Sequence, residues 1–143
     1  MAWWDNFNPF AVDPAYADWQ SIQPKGVAYV ESRGMTPEQK KKPGKAGELG
    51  TYQLTPIAYR DLQRLNSSYK NQDFATVALN DQTAQQAMKD YMKALQNNYF
   101  FPWAHRTPTD AELLQMYNVG PTAYKRGVRN PKYVQTYQRG VKE

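Results

Sequence analysis

The sequence VAYVESRG, residues 27–34, and the later stretch GELGTYQLTPIAY, residues 47–59, decide how this chain is interpreted. The first stretch begins with apolar residues at helical spacing and ends in Glu31, Ser32 and Gly34, a glycine typical of a helix C-terminus. Burial of a carboxylate at the end of an apolar helix raises its pKa, so that the group keeps a proton near neutral pH. A Glu31 that points to water is an ordinary surface residue, and this stretch alone leaves both interpretations open.

The composition indicates one basic domain without cysteine. The chain has 143 residues, one histidine and a formal net charge of +5, and this length suits a single compact domain. The lack of cysteine excludes disulfides and cysteine-based metal sites. The lone His105 excludes a histidine-rich metal site and is predicted to be structural or exposed, so no metal or cofactor is expected. There is no apolar run of about 18 residues, so no stable membrane insertion is expected, and the start does not have the pattern of a secretory signal peptide.

The chain divides into an aromatic N-terminal arm, residues 1–20, and a helical domain, residues 21–143. The arm carries tryptophan, phenylalanine and tyrosine among Asn, Asp and Pro, without a clear period. Two interpretations of the arm stay open. It is either an irregular segment wrapped on the domain or a docking tail for a partner or a larger assembly.

Helix-start signals predict that the domain is mostly helical. A side chain that caps the first backbone N–H groups, or a proline in the first turn, marks a helix N-terminus. The predicted starts are Pro24, Thr55 with Pro56, Asp73, Asn80 or Asp81, Thr109 in a capping box with Glu112, and Asn130 with Pro131. Apolar residues recur at helical spacing over residues 81–98, which predicts one long helix there. No stretch shows sustained strand alternation, although residues 46–54 leave room for a small hairpin.

A basic loop rich in Gly and Pro covers residues 34–50. It carries a cluster of four lysines, Lys40, Lys41, Lys42 and Lys45. This positive cluster is either plain solvated surface or, near an active site, a region that attracts an anionic polymer. The other basic residues are scattered and no nucleic-acid-binding motif is present, so nucleic acid is not expected as a partner.

Three short motifs follow one another in a fixed order. A helix ends in Glu31-Ser32, a turn contains Gly47, Gly50, Gln53 and Pro56, and a later helix ends in Tyr117, Asn118 and Gly120. This order and spacing resemble the lysozyme-like catalytic domain of soluble lytic transglycosylases, the group related to goose-type lysozyme, over roughly residues 20–140. The third motif departs from the family pattern, since Met116 and Val119 stand where the family usually has alanine.

The resemblance implies a fold, an activity and a set of site residues. The implied fold is mostly α, of the lysozyme-like α+β type, with a helical bundle around a substrate cleft and at most a small β-hairpin. Such enzymes cleave the β-1,4 bond between N-acetylmuramic acid and N-acetylglucosamine in peptidoglycan, and the muramyl sugar's own hydroxyl closes a 1,6-anhydro ring. Glu31 matches the catalytic acid. Substrate-binding roles are implied for Ser32, Gly50, Tyr52, Gln53, Tyr117 and Asn118.

Two further carboxylates bear on the reaction type. The family usually has a small residue at the position of Glu48, and Asp61 lies on the following helix. An internal nucleophile needs no second carboxylate, whereas a hydrolysing glycosidase does, at roughly 6.5–9.5 Å from the acid for inversion. If Glu48 or Asp61 faces Glu31, the chain is expected to be a hydrolytic muramidase. Otherwise Glu48 offsets the nearby lysines and Asp61 is a surface residue, the interpretation that we favour.

The biological setting follows only from the resemblance and from the lack of an export signal. We expect a bacteriophage protein that acts on the bacterial cell wall in the periplasm, carried in the virion for entry or made in the host cytoplasm for lysis. The expected partner is the peptidoglycan glycan strand. A catalytically silent virion module that keeps the fold is the non-enzymatic alternative.

Overall fold

The computed structural model describes residues 18–143, and these are mostly helical. The α-helices are Pro24–Ser32 (α1), Pro37–Lys40 (α2), Pro56–Leu65 (α3), Phe74–Leu79 (α4), Asp81–Ala94 (α5), Phe101–Ala104 (α6), Asp110–Val119 (α7), Pro121–Lys125 (α8) and Pro131–Lys142 (α9). Short 3-10 helices cover Trp19–Ser21 and Ser67–Tyr69, and a π-helix covers Leu95–Phe100. One antiparallel bridge joins Leu49 to Leu54 outside any named strand. The predicted mostly α class, with at most a small hairpin, is confirmed.

The predicted arm falls almost entirely outside the described residues. Of residues 1–20, the structure describes 18–20. There the Asp18 side chain accepts a hydrogen bond from the Gln20 N–H at 2.8 Å, and the Trp19 N–H donates to Oε1 of Gln96 at 2.9 Å. These contacts join the start of the described chain to the π-helix. A docking role for the rest of the arm stays a prediction, as does the boundary at residue 21.

The predicted capping residues begin the helices. Thr55, Asp73, Asn80 and Asn130 each accept a hydrogen bond from a backbone N–H in the first turn of α3, α4, α5 and α9. Thr109 and Glu112 form the predicted capping box of α7. Each bond satisfies an N–H group that has no partner inside the helix. The local sequence therefore specifies most helix boundaries.

The long helix predicted over residues 81–98 differs from the structure. The α-geometry of α5 ends at Ala94, and the chain widens into the π-helix before Pro102 in the first turn of α6. Proline has no N–H, and in regular α-geometry its ring would clash with the carbonyl of Asn98. A widened turn accommodates both constraints. The short helix α8, which follows the turn at Gly120, was not predicted either.

Two glycines let α1 and α9 approach closely. A Cβ atom added to Gly26 would lie 2.5 Å from the ring of Tyr137, and one added to Gly140 would overlap Tyr29. Side chains at either position would push the two helices apart. The close packing brings the C-terminal turn of α1, which carries Glu31, next to Tyr133 at the start of α9.

The hydrophobic core is built from side chains of several helices, with α1, α5 and α7 among them. Its fully buried side chains include Val27, Met88, Met92, Leu113 and Leu114. Burial of each large apolar side chain stabilises the fold by about 1.5–3 kcal/mol. In the part of the chain that the structure describes, no helix is both long and apolar enough to cross a membrane.

Candidate active site

A cavity of about 460 Å³ opens where the three sequence motifs meet. The end of α1, the loop before α3 and the end of α7 form its walls, and α5 and α9 contribute further side chains. The polar residues on its wall are Glu31, Glu48, Gln53, Thr55, Tyr91, Tyr117, Asn118 and Tyr133. Glu31, Gln53, Tyr117 and Asn118, which are far apart in sequence, therefore share one cavity, as the resemblance implies.

Glu31 lies in the last turn of α1 and is largely buried. Burial raises the pKa of its carboxyl from 4.5 to about 7, the nearby Tyr133 hydroxyl lowers this pKa in part, and the charge of Glu48 raises it. Desolvation dominates because a low-dielectric environment disfavours the charged form. Glu31 is therefore not an ordinary surface residue, and its carboxyl can carry a proton near neutral pH.

Tyr133 is a polar neighbour of Glu31 that the sequence did not single out. Its side chain is only 4 % exposed, and its hydroxyl makes no hydrogen bond of acceptable geometry. The hydroxyl nevertheless lies close enough to Glu31 to lower the pKa of that carboxyl. The two groups are therefore close neighbours without a formed hydrogen bond between them. The repeated tyrosines of YVQTY, residues 133–137, were the available signal, but they fit a helix that packs on the core equally well.

Tyr117 lies near the end of α7 and lines the same cavity. It is partly accessible from the cavity, and its ring packs edge to face on Tyr91 with 5.9 Å between ring centroids. Burial, followed by the charge of Glu31, raises the pKa of Tyr117 well above its usual value. Tyr117 is therefore a neutral hydroxyl near the Glu31 carboxyl and can donate a hydrogen bond there or to a ligand.

Gln53 is held in a left-handed backbone conformation on the cavity wall. Its φ angle is 48°, which is uncommon for a residue with a Cβ atom. Its side-chain Nε2 donates to the carbonyl oxygen of Gly50 at 2.7 Å, which fixes the amide. The amide oxygen then remains as an acceptor for a ligand. Strained residues of this kind are often found at binding sites.

Glu48 also lies on the wall of this cavity. One carboxylate oxygen accepts a hydrogen bond from the N–H of Ala46 at 3.1 Å, which anchors the side chain to its own loop. Its charge acts on Glu31 and helps to raise the pKa of that residue. Glu48 is thus the second carboxylate of the cavity.

Asp61, the other candidate second carboxylate, does not line this cavity. It lies on a neighbouring cavity and is engaged by Nη2 of Arg64 at 2.5 Å and by the hydroxyl of Tyr99 at 2.7 Å. The structure therefore separates Asp61 from Glu31. It leaves Glu48 as the remaining candidate.

Three predicted substrate-binding residues lie behind the wall. The buried Ser32 hydroxyl donates to the carbonyl oxygen of Ala28 at 3.1 Å. The buried Tyr52 bonds through its hydroxyl to Oε1 of Gln85 at 3.2 Å. Gly50 has a φ angle of 81°, and a Cβ there would overlap the carbonyl oxygen of Ala78. Gly50 and Tyr52 belong to the turn that carries Gln53, and none of the three residues lines the cavity.

Asn118 reaches the cavity from the C-terminal end of α7. Its side chain is exposed, and Oδ1 accepts a hydrogen bond from Nδ2 of Asn130, the N-cap of α9, at 2.8 Å. This bond leaves the Asn118 amide nitrogen to face a ligand. Asn118 therefore couples the end of α7 to the start of the helix that carries Tyr133.

The cavity is suited to proton transfer by the Glu31 carboxyl, with neutral tyrosine hydroxyls as hydrogen-bond donors beside it. No group of three or more His, Asp or Glu side chains is placed to bind a metal ion within residues 18–143. The single histidine, His105, is exposed and ends α6 in a left-handed conformation, with a φ angle of 59°.

The chain matches no family model, no curated protein and no solved structure. The function must therefore be inferred from the cavity and from the sequence motifs.

Proposed function

We propose that the protein is a peptidoglycan lytic transglycosylase with Glu31 as its single general acid and base. The observation that carries the proposal is the Glu31 carboxyl, which lies in a cavity of about 460 Å³ with its pKa raised to about 7. This residue is also the one that the resemblance assigns as the catalytic acid. A carboxyl with a pKa near neutrality can both donate and accept a proton in one reaction cycle.

The proposed reaction consumes no water. Protonated Glu31 gives its proton to the oxygen that links the muramyl C1 to the next sugar, and the bond from C1 to that oxygen breaks. The C6 hydroxyl of the same muramyl residue attacks C1, and the Glu31 carboxylate takes the hydroxyl proton. The products are a 1,6-anhydro-muramyl end and a free N-acetylglucosamine hydroxyl, and Glu31 is again protonated.

The other residues of the wall have supporting roles in this proposal. Tyr117 and Tyr133, as neutral hydroxyls near Glu31, steady its side chain and stabilise its anionic form after the first proton transfer. Gln53 and Asn118 present amide groups that suit the hydroxyl and acetamido groups of the sugars.

Hydrolysis by a muramidase is the second candidate, because Glu48 lies on the same cavity wall. In that reaction Glu48 would activate a water on the opposite face of the sugar. The hydrogen bond from the Ala46 N–H and the influence of Glu48 on the pKa of Glu31 are compatible with either reaction. A catalytically silent virion module would have no need of an acid held near neutrality.

The proposed setting is a bacteriophage that opens or lyses the bacterial cell wall. The protein would be carried in the virion or made in the host cytoplasm, and it would act on glycan strands in the periplasm. Residues 1–20 are the proposed contact to other virion proteins. These proposals rest on the resemblance described above.

Mass spectrometry of digested peptidoglycan tests the function. We expect the wild type to release 1,6-anhydro-muramyl products and the Glu31→Gln variant to release none, with Asp61→Asn as the matched carboxylate control. If the wild type releases reducing-end products, the protein is a hydrolase and not a transglycosylase. If purified peptidoglycan stays intact with the wild type, the enzymatic proposal is wrong.

A further inference from the structure

A second cavity, of about 720 Å³, adjoins the catalytic one along α3 and the end of α7. The Tyr91 side chain borders both cavities. On α3, Ala58 lines the first cavity and its neighbour Ile57 lines the second. The two cavities are therefore neighbours that share the Tyr91 side chain as part of their walls.

The second cavity carries unpaired positive charge. Arg60, Arg64 and Arg126 lie on its wall. Arg64 is paired with Asp61 at 2.5 Å, whereas the guanidinium groups of Arg60 and Arg126 form neither an ion pair nor a hydrogen bond with any residue of the described range 18–143. Two guanidinium groups are thus left to bind an anion, and this group pairs well with carboxylates through two parallel hydrogen bonds.

The same cavity also has exposed aliphatic side chains on its wall. Ile57 is 75 % exposed and Val128 is 48 % exposed, and both line the cavity together with Val119 and Pro121. A neutral sugar has little use for two guanidinium groups, and an inorganic anion has little use for aliphatic walls. The combination suits a short peptide with small apolar side chains and several carboxylates.

We propose that the second cavity binds the acidic stem peptide that the muramyl residue carries. This inference rests on the proposed function, since the stem peptide is part of the same substrate. Peptidoglycan stems combine alanine with dicarboxylic amino acids, so their methyl groups would contact Ile57 and Val128 while their carboxylates pair with Arg60 and Arg126. The site would make the protein act preferentially on strands that still carry peptides.

Binding of a free stem peptide tests the site without any need for catalysis. We would titrate the isotope-labelled protein with L-alanyl-γ-D-glutamyl-meso-diaminopimelate and follow backbone amide shifts by NMR. Shifts should centre on Ile57, Val119 and Val128, and the affinity should fall about tenfold in a double variant with Arg60→Gln and Arg126→Gln. A control double variant with Lys132→Gln and Arg139→Gln, which removes two charges from exposed positions of α9 outside both cavities, should bind like the wild type. Equal affinity of the wild type and the double variant, or shifts centred on Glu31, would overturn the proposal.

Cleavage of two substrates separates this inference from the proposed function. The ratio of kcat/KM on peptide-bearing strands to kcat/KM on strands stripped by an amidase should fall about tenfold in the double variant. An unchanged ratio with normal wild-type cleavage would reject the peptide site and keep the transglycosylase. Peptide binding by a wild type that cleaves neither substrate would reject the transglycosylase and keep the peptide site.

Discussion

Glu31 and Asp61 are two carboxylates on adjacent cavities that share Tyr91, yet their surroundings are opposite. Glu31 is largely buried without a cationic partner in the described chain, and burial raises the pKa of its carboxyl to about 7. Asp61 is held by the Arg64 guanidinium and the Tyr99 hydroxyl. The difference shows that burial without a cationic partner raises the pKa of Glu31, whereas Arg64 and Tyr99 take up the bonding capacity of Asp61.

The tyrosines next to the two carboxylates, Tyr133 beside Glu31 and Tyr99 beside Asp61, differ in the same way. Burial raises the pKa of Tyr99, and its hydrogen bond to Asp61 raises this pKa further. Tyr133 is buried beside Glu31, and its hydroxyl has no hydrogen bond of acceptable geometry. The Asp61 group is thus a closed network with its bonds formed. The Glu31 group keeps bonding capacity that a substrate can use.

The largest expected effect is a loss of glycan cleavage when the Glu31 carboxylate is removed, with no such loss when the Asp61 carboxylate is removed. Glu31→Gln should lower the rate of glycan cleavage by about 10²–10⁴-fold, because general acid catalysis is worth about that much. Asp61→Asn should stay within about tenfold of the wild type, since Asp61 does not line the cavity that holds Glu31. Release of soluble muropeptides under identical conditions measures both. A loss in Asp61→Asn as large as that in Glu31→Gln would break the comparison.

The sequence predicted those parts of the site that depend on local signals. Capping residues set the start of α3 and α7, and the motif spacing brought Gln53 and Tyr117 to the same cavity as Glu31. The separation of Asp61 from Glu31 depends on which face of α3 meets α5, and helical periodicity over a short segment does not resolve it.

The part of the site that could not be predicted depends on long-range packing. Tyr133 reaches Glu31 because Gly26 and Gly140 let α1 and α9 approach closely. These two glycines are far apart in sequence, and each alone looks like a weak point in a helix. The burial of Ser32 and Tyr52 behind the wall likewise follows from how the motif turn packs on the core.

The second expected effect is on stability and its dependence on pH. Between the pKa of 4.5 in the unfolded chain and about 7 in the folded one, the folded state binds more protons, so the free energy of unfolding falls as pH rises. Glutamine does not titrate, and Glu31→Gln should be more stable than the wild type at about pH 8 by at most about 3 kcal/mol, with little difference at about pH 4.

Urea unfolding followed by circular dichroism at several pH values measures this effect. Asp61→Asn is the matched control and should be slightly destabilised near neutral pH, because it weakens the contact to Arg64. Equal stability of the wild type and Glu31→Gln at both pH extremes would show that Glu31 is not desolvated in the folded chain.

A smaller effect is expected from the tyrosines. Tyr133→Phe removes a hydroxyl that lowers the pKa of Glu31, so the alkaline limit of activity should move to higher pH. Its free energy of unfolding at about pH 5 should change by less than about 1 kcal/mol, because the buried hydroxyl has no hydrogen bond to lose. Tyr99→Phe should behave in the opposite way. It should lower the free energy of unfolding by about 1 kcal/mol and leave the pH profile of activity unchanged. If the pH profile shifts in Tyr99→Phe but not in Tyr133→Phe, then Tyr99 and not Tyr133 acts on the pKa of Glu31.

The smallest effect is expected from Glu48→Gln, which also decides the reaction type. Removing the charge of Glu48 lowers the pKa of Glu31, so the alkaline limit should move to lower pH. The rate at about pH 6 should change by less than about fivefold, because two charges near solvent interact by about 1 kcal/mol or less. Mass spectrometry of the digest should still show 1,6-anhydro ends. If Glu48→Gln loses activity as completely as Glu31→Gln and the wild type releases reducing ends, two carboxylates share the catalytic work and the enzyme is a muramidase.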